Sequence, residues 1–195
     1  MTTKNAGYYF FFGLILISAI VFIDQYSKWV VLESMLRVDG EFLPFQEWFK
    51  TPRLLEYFYD ERENYHEQTL APFLNFVMVW NQGISFGLLD SNKPVVAYIF
   101  IGISLTISLG FIIWLAVSNS KLISFACGLI AGGAIGNTID RIRFRAVADF
   151  IDFHIGSFHF PVFNFADICI SVGAVLLAWG LLFDQKINYN TTVDV

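Results

Sequence analysis

GGAIGNTIDR, Gly132 to Arg141, decides how this chain is built. It closes a stretch, Leu122 to Ile139, that holds no Asp, Glu, Lys or Arg, and then meets Asp140-Arg141. About 20 apolar residues cross a bilayer core as a helix, so the run predicts a membrane helix that ends in charge. Three further charge-free stretches, Asn5 to Ile23, Pro94 to Ser120 and Ile168 to Phe183, are of similar length. The 195 residues are 56% hydrophobic, 18% aromatic and only 15% charged, with a mean hydropathy of +0.58. That composition belongs to a membrane protein. The expected fold is α-helical and membrane-embedded, with four transmembrane helices.

The first stretch could be a secretory leader, but it lacks a small-x-small cleavage site and runs straight into Asp24-Gln25-Tyr26-Ser27-Lys28, so it reads as a retained helix. A net charge of −5 argues against nucleic acid, whose phosphates call for a basic face. Cys127 and Cys169 fall inside spanning stretches and read as small apolar residues rather than as a disulfide or metal set.

Four spans put both termini on one side. The short connection Val117 to Lys121 makes the second and third helices an antiparallel hairpin on that side, and the opposite side receives Asp24 to Lys93 and Asp140 to Asp167. Lys4, Lys121 and Lys186 lie on the terminal side and the other nine basic residues lie opposite. Loop charge alone would therefore place the larger side in the cytoplasm.

Within that side, Glu33 to Glu67 is charged and aromatic, containing LRVDGEF and YDERENYHEQ, and reads as a solvated insertion of loops or short helices. FLNFVMVW, Phe73 to Trp80, closed by Asn81-Gln82-Gly83, reads as a strand ending in a turn. Ile151, Phe153 and Ile155 alternate with Asp152 and His154. Gly156-Ser157 then offers a type II′ turn before Phe158, Phe160 and Val162. A small sheet resting on the membrane face is expected.

Ionisable groups in apolar segments are costly and are functional candidates by default. Asp149, in VADF (Val147 to Phe150), begins a strand, and Asp167, in FNFADICI (Phe163 to Ile170), begins the fourth helix. The two can converge where sheet meets bundle. Two carboxylates in a poorly hydrated site hold one proton between them; the charged member can deprotonate water while its partner donates to a carbonyl oxygen. The structural alternative is that each aspartate caps a helix or balances an arginine. Asn137 and Arg141 lie four apart on one helix face, with Asp140 one turn from Asn137. Gly132, Gly133 and Gly136 make a small-residue surface against which a neighbouring or substrate helix can pack. His66, His154 and His159 show no metal-ligand spacing, and the phenylalanines, including Phe10 to Phe12, read as lipid-facing.

DQYSK (Asp24 to Lys28), NQGISFG (Asn81 to Gly87), GNTIDR, VADF and FNFAD stand in the order found in bacterial lipoprotein signal peptidases, or signal peptidase II, which this chain resembles over most of its length. The Glu33 to Glu67 insertion is longer than the family usually has, and Ala148 stands where Val is more frequent. The resemblance implies one integral-membrane aspartyl peptidase domain over residues 1–195 with an extracytoplasmic sheet, in which Asp149 and Asp167 are the catalytic pair. It implies that Asn81 and Arg141 contact substrate backbone, and that Asn137, Asp140 and Asn164 support the pair. Asp24 and Lys28 take a structural or headgroup-facing role. A snorkelling anchor accounts equally well for Lys28.

The implied substrate is the signal peptide of a diacylglyceryl-modified prolipoprotein, cut just before the lipidated cysteine. The implied setting is the bacterial inner membrane, with the catalytic side outward and both termini cytoplasmic. The enzyme would act as a monomer among membrane lipids, without metal or cofactor. Two other readings use the same acids: a proton-coupled carrier, which calls for polar residues across the bilayer, and a non-enzymatic scaffold for lipid or partner helices. Presenilin-type peptidases carry a Gly-x-Gly-Asp string, which is absent here.

Overall fold

The alanines and glycines between Ala126 and Gly136 put their own helix at the centre of the protein. The computed structural model describes residues 4–37, 42–50, 66–83 and 94–183. Among them are four helices long and apolar enough to cross a membrane: α1 (Lys4–Trp29), α3 (Pro94–Val117), α4 (Lys121–Phe144) and α5 (Phe165–Phe183), with a short α2 (Phe45–Lys50) between the first two. The apolar stretch of α4 is 78% buried inside the protein, against 17–22% for the others, so α1, α3 and α5 pack around it and turn their outer faces to lipid.

Two glycines let those neighbours close in. A Cβ on Gly133 would lie 2.5 Å from the Ala166 carbonyl oxygen, and one on Gly136 would lie 2.6 Å from Asp24 Oδ2. The small-residue surface is therefore filled by α5 and α1, leaving it no room for a substrate helix. Phe11 faces outward, whereas Phe10 packs into the core and Phe12 stacks on Phe125, so only part of the phenylalanine run is lipid-facing.

The first helix overruns the charge-free stretch. It continues through Asp24 and Lys28 to Trp29, then widens into π-helical turns over Val30–Leu36, which carries both charges into the bundle. The insertion is less solvated than expected. Leu32, Trp48, Phe144 and Ala148 form one buried cluster, and Trp48 on α2 is only 2% exposed, because the aromatic side chains of the insertion bury against the sheet and the end of α4. Residues 38–41 and 51–65 of the insertion, and Ile84 to Gly87 of NQGISFG, lie outside the described residues.

The sheet is antiparallel, in the order β1 (Gln68–Ala71), β2 (Leu74–Asn81), β3 (Val147–Ile155), β4 (Phe158–His159). The strand expected at Phe73 to Trp80 is β2, and Gly83 ends its turn at φ 88°, a conformation glycine adopts freely. Pairing of β2 with β3 sets Val79 opposite Asp149 and Asn81 opposite Val147. Gly156 has φ 61° and Ser157 does not share the positive φ, as a type II′ turn requires. The second arm is shorter than its alternation suggested. β4 stops at His159; the Phe160 N–H still donates to the Phe153 carbonyl at 2.9 Å, but Pro161 has no N–H to continue the ladder, and the chain next meets β3 where Phe163 pairs with Ile151. That return delivers Asn164 and α5 beside Asp149.

Candidate active site

Asn164 is the hinge of the site. It caps α5: its Oδ1 accepts the Asp167 N–H and its own N–H donates to Asp167 Oδ2, both at 3.1 Å, a reciprocal capping box. Asp167 thus does the capping that the structural alternative assigned it. The same Asn164 also reaches the other acid, donating through Nδ2 to Asp149 Oδ1 at 2.7 Å and to Asn137 Oδ1 at 3.1 Å. Asn137 in turn donates to Asp167 Oδ1 at 2.8 Å, and Asn81 donates to Asp149 Oδ2 at 2.9 Å. The Gly83 N–H, held by Asn81 Oδ1 at 2.8 Å, fixes that amide's orientation. All four carboxylate oxygens of Asp149 and Asp167 therefore receive N–H donors, and three asparagines from β2, α4 and the α5 cap do most of the holding.

The two acids sit in different surroundings. Asp149 is 1% exposed and Asp167 is half-buried. Burial, reinforced by the nearby charge of Asp167, pushes the Asp149 pKa up to about 7 against the pull of its two asparagine donors. A carboxyl that is still half protonated at neutral pH can donate a proton, and a neighbouring acid open to water can accept one.

Asp140 does not join this pair. It turns onto Lys28, whose Nζ lies 2.7 Å from Asp140 Oδ2, 2.8 Å from Asp24 Oδ2 and 3.2 Å from Asn137 Oδ1. Lys28, Asp24 and Asp140 are all fully buried, so Lys28 is no snorkelling anchor and Asp24 faces no headgroup. The same carboxylates also hold backbone: Asp24 Oδ1 takes the Ala166 N–H, and Asp140 Oδ2, the oxygen already on Lys28, takes the Ala148 N–H, each at 3.1 Å. This cluster ties α1 and α4 to the residues just before Asp149 and Asp167.

Arg141 is half-buried, with its guanidinium 5.3 Å from the Phe100 ring centre and its charge acting on Asp149 and Asp167. Phe100 carried no signal in the sequence. Gln25 stood inside DQYSK without being a candidate of its own; it donates to Asp140 Oδ1 at 2.8 Å. The histidines stand apart. His154 and His159 pair across β3 and β4 with rings 4.7 Å apart. His159 Nδ1 lies 2.8 Å from Asp152. Burial raises the Asp152 pKa, but the hydrogen bonds from His159 and Asn75 outweigh it and hold the carboxyl below its usual range. Among the described residues no cluster of three or more His, Cys, Asp or Glu could hold a metal.

Comparison with known proteins agrees with this architecture. Two solved bacterial membrane enzyme structures superpose with TM-scores of 0.64 and 0.65 at 24% identity; the first match covers 93% of each chain and the second 89% of this chain and 94% of the other. A lipoprotein signal peptidase of Methylocella silvestris is 46% identical over 117 residues, 60% of this chain and 68% of that protein. Those of Methylorubrum extorquens and Anaplasma marginale are 42% and 38% identical over 116 and 126 residues, covering 66% and 72% of their lengths. The aligned stretch thus spans about two thirds of these relatives. The family model described as Signal peptidase (SPase) II matches residues 16–183, a range that runs from the middle of α1 to the end of α5 and holds both acids, and the chain belongs to the signal peptidase II family.

Proposed function

We propose that this protein removes signal peptides from prolipoproteins as an aspartic endopeptidase of the bacterial membrane, with Asp149 and Asp167 as its catalytic pair. The observation that carries the reading is Asn164, which hydrogen-bonds both carboxyls at once. Asp167 takes a proton from the attacking water while protonated Asp149 donates to the scissile carbonyl oxygen, giving a tetrahedral diol. Return of protons through the pair expels the amine and leaves a carboxylate. Asn137 and Asn164 hold the acids, and Asn81 and Arg141 face the substrate backbone. Asp24, Lys28 and Asp140 form the scaffold behind them.

The substrate carries diacylglycerol on the cysteine after the scissile bond. Its acyl chains stay in lipid while the peptide reaches the acids at the end of the bundle. That end faces the periplasm or cell exterior and both termini are cytoplasmic, with the protein working as a monomer. The basic residues on the catalytic side count against this orientation. Lys28 and Arg143 are buried in the protein, but the remaining Lys and Arg still outnumber those on the terminal side, so the orientation rests on the family and not on loop charge.

The test is cleavage of a lipidated peptide by purified protein. Asp149→Asn and Asp167→Asn are each expected to lower kcat by about 10³-fold or more, since each removes one of two proton-transfer roles. Full activity in either variant rejects the pair.

A further inference from the structure

Arg143 lies outside every motif singled out in the sequence, yet it is 8% exposed and joins two parts of the protein. Its guanidinium is 4.1 Å from the ring centre of Trp48, 4.4 Å from that of Phe144 and 4.9 Å from that of Phe49. Contacts this close are attractive through the ring quadrupoles and strongest when desolvated. Nη2 donates to the Trp48 carbonyl oxygen and Nη1 donates to Gln25 Oε1 at 3.2 Å. The Trp48 carbonyl lies in the last turn of α2, where carbonyls have no partner within the helix. One cation thus grips the insertion helix with one arm and α1 with the other.

The grip on Gln25 determines what Gln25 can do. A glutamine amide has one oxygen and one NH2. With Oε1 taken by Arg143, Nε2 points to Asp140 Oδ1 at 2.8 Å and Asp24 Oδ2 at 3.1 Å. Asp140 in turn holds the Ala148 N–H at 3.1 Å, and Ala148 is covalently next to Asp149. Without Arg143 the buried amide oxygen loses its donor, and a turn of Gln25 toward a new one takes away one of the two side-chain donors on Asp140, leaving Lys28 as the other.

We propose that Arg143 is a positioning residue for peptide cleavage, acting through Gln25 and Asp140 on the backbone beside Asp149, and that its clasp on Trp48 makes the insertion helix part of the active-site scaffold. The positioning role rests on the peptidase reading; the clasp does not. Misplacement of a reacting group by about 1 Å lowers rates by up to about 10²-fold, so the effect belongs in kcat rather than KM.

The experiment uses the full chain in detergent or bilayer, with a lipidated peptide as substrate. Arg143→Met is expected to lower kcat by about tenfold and change KM by less than about twofold. Arg143→Lys recovers part of the loss, since a point charge keeps the ring contacts but cannot span both acceptors. In a Gln25→Ala background, Arg143→Met should add less than about a further twofold, because both act along one path. Wild-type kcat in Arg143→Met, or losses that multiply in the double variant, overturns the positioning role. Amide hydrogen exchange of Phe45–Lys50, read without substrate, is expected to rise in Arg143→Met and in Trp48→Leu while α4 stays protected. Unchanged exchange in both overturns the clasp. Wild-type protein that binds but never cleaves the peptide overturns the peptidase reading and the positioning role together, and exchange in α2 still decides the clasp.

Discussion

Asp149 shows how one residue can be made useful by being uncomfortable. Its pKa near 7 arises first from burial and then from the Asp167 charge, so the folded protein holds a proton that the unfolded chain would release near pH 4. This stabilisation is complete below about pH 4 and is lost as pH rises to about 7. Relative to Asp149→Asn, which cannot ionise, the parent should lose stability across that window. Thermal unfolding of both proteins at pH 4.5 and pH 7.5 checks this, and a pH-independent gap would contradict it. The proposed role of Asp149 ties catalysis to the same titration. Activity should be bell-shaped, declining above about pH 7 as the pair loses its shared proton, and failing again in acid when both members are protonated.

At the scale of elements, the site depends on how close α5 lies to α4. The capping box at Asn164 starts α5 directly after the bridge from Phe163 to Ile151 of β3, and Gly133 lets the first turn of α5 touch the α4 backbone. A methyl there meets a carbonyl oxygen rather than a flexible side chain, so the helices must separate. Gly133→Ala is expected to destabilise the protein by about 1–3 kcal/mol and to lower activity further than stability alone accounts for, since Asn137 and Asp167 sit on the two helices pushed apart. Unfolding temperature and peptide cleavage measured on one preparation check both halves. Elements also argue against the carrier reading. The hydroxyls of Thr106 and Ser108 bond back to carbonyls of their own helix and offer no proton path inward.

For the whole molecule, Lys28 is the tie between α1, α4 and the strand–helix junction. Lys28→Met would leave Asp24 and Asp140 buried without their shared cation, a change expected to cost about 3–5 kcal/mol. Loss of folded protein, followed by fluorescence-detected size-exclusion chromatography, is the measurement. Orientation is also a whole-molecule property. With the two native cysteines replaced, a cysteine at Asn119, between α3 and α4, should be labelled by a membrane-impermeant thiol reagent only from the cytoplasm. A cysteine at Ser157, in the β3–β4 turn, should be labelled from outside; the reverse pattern would invert the proposed topology.

The four helices, the β2 strand, the turn at Gly156 and the two acids were legible in the sequence, because apolar length, period-2 alternation and intramembrane charge are local signals. The motifs DQYSK, GNTIDR, VADF and FNFAD carried the family as well. Partnership was not legible. That Asp140 turns to Lys28 rather than to Asp149, that the glycine face of α4 is filled by its own neighbours, and that Trp48 of the insertion is buried against Arg143 all depend on pairs of residues far apart in the chain. Burial and hydrogen-bond geometry between such pairs exist only once the helices have packed, so the tertiary structure alone decided which charged groups meet at the proposed site and which are buried behind it.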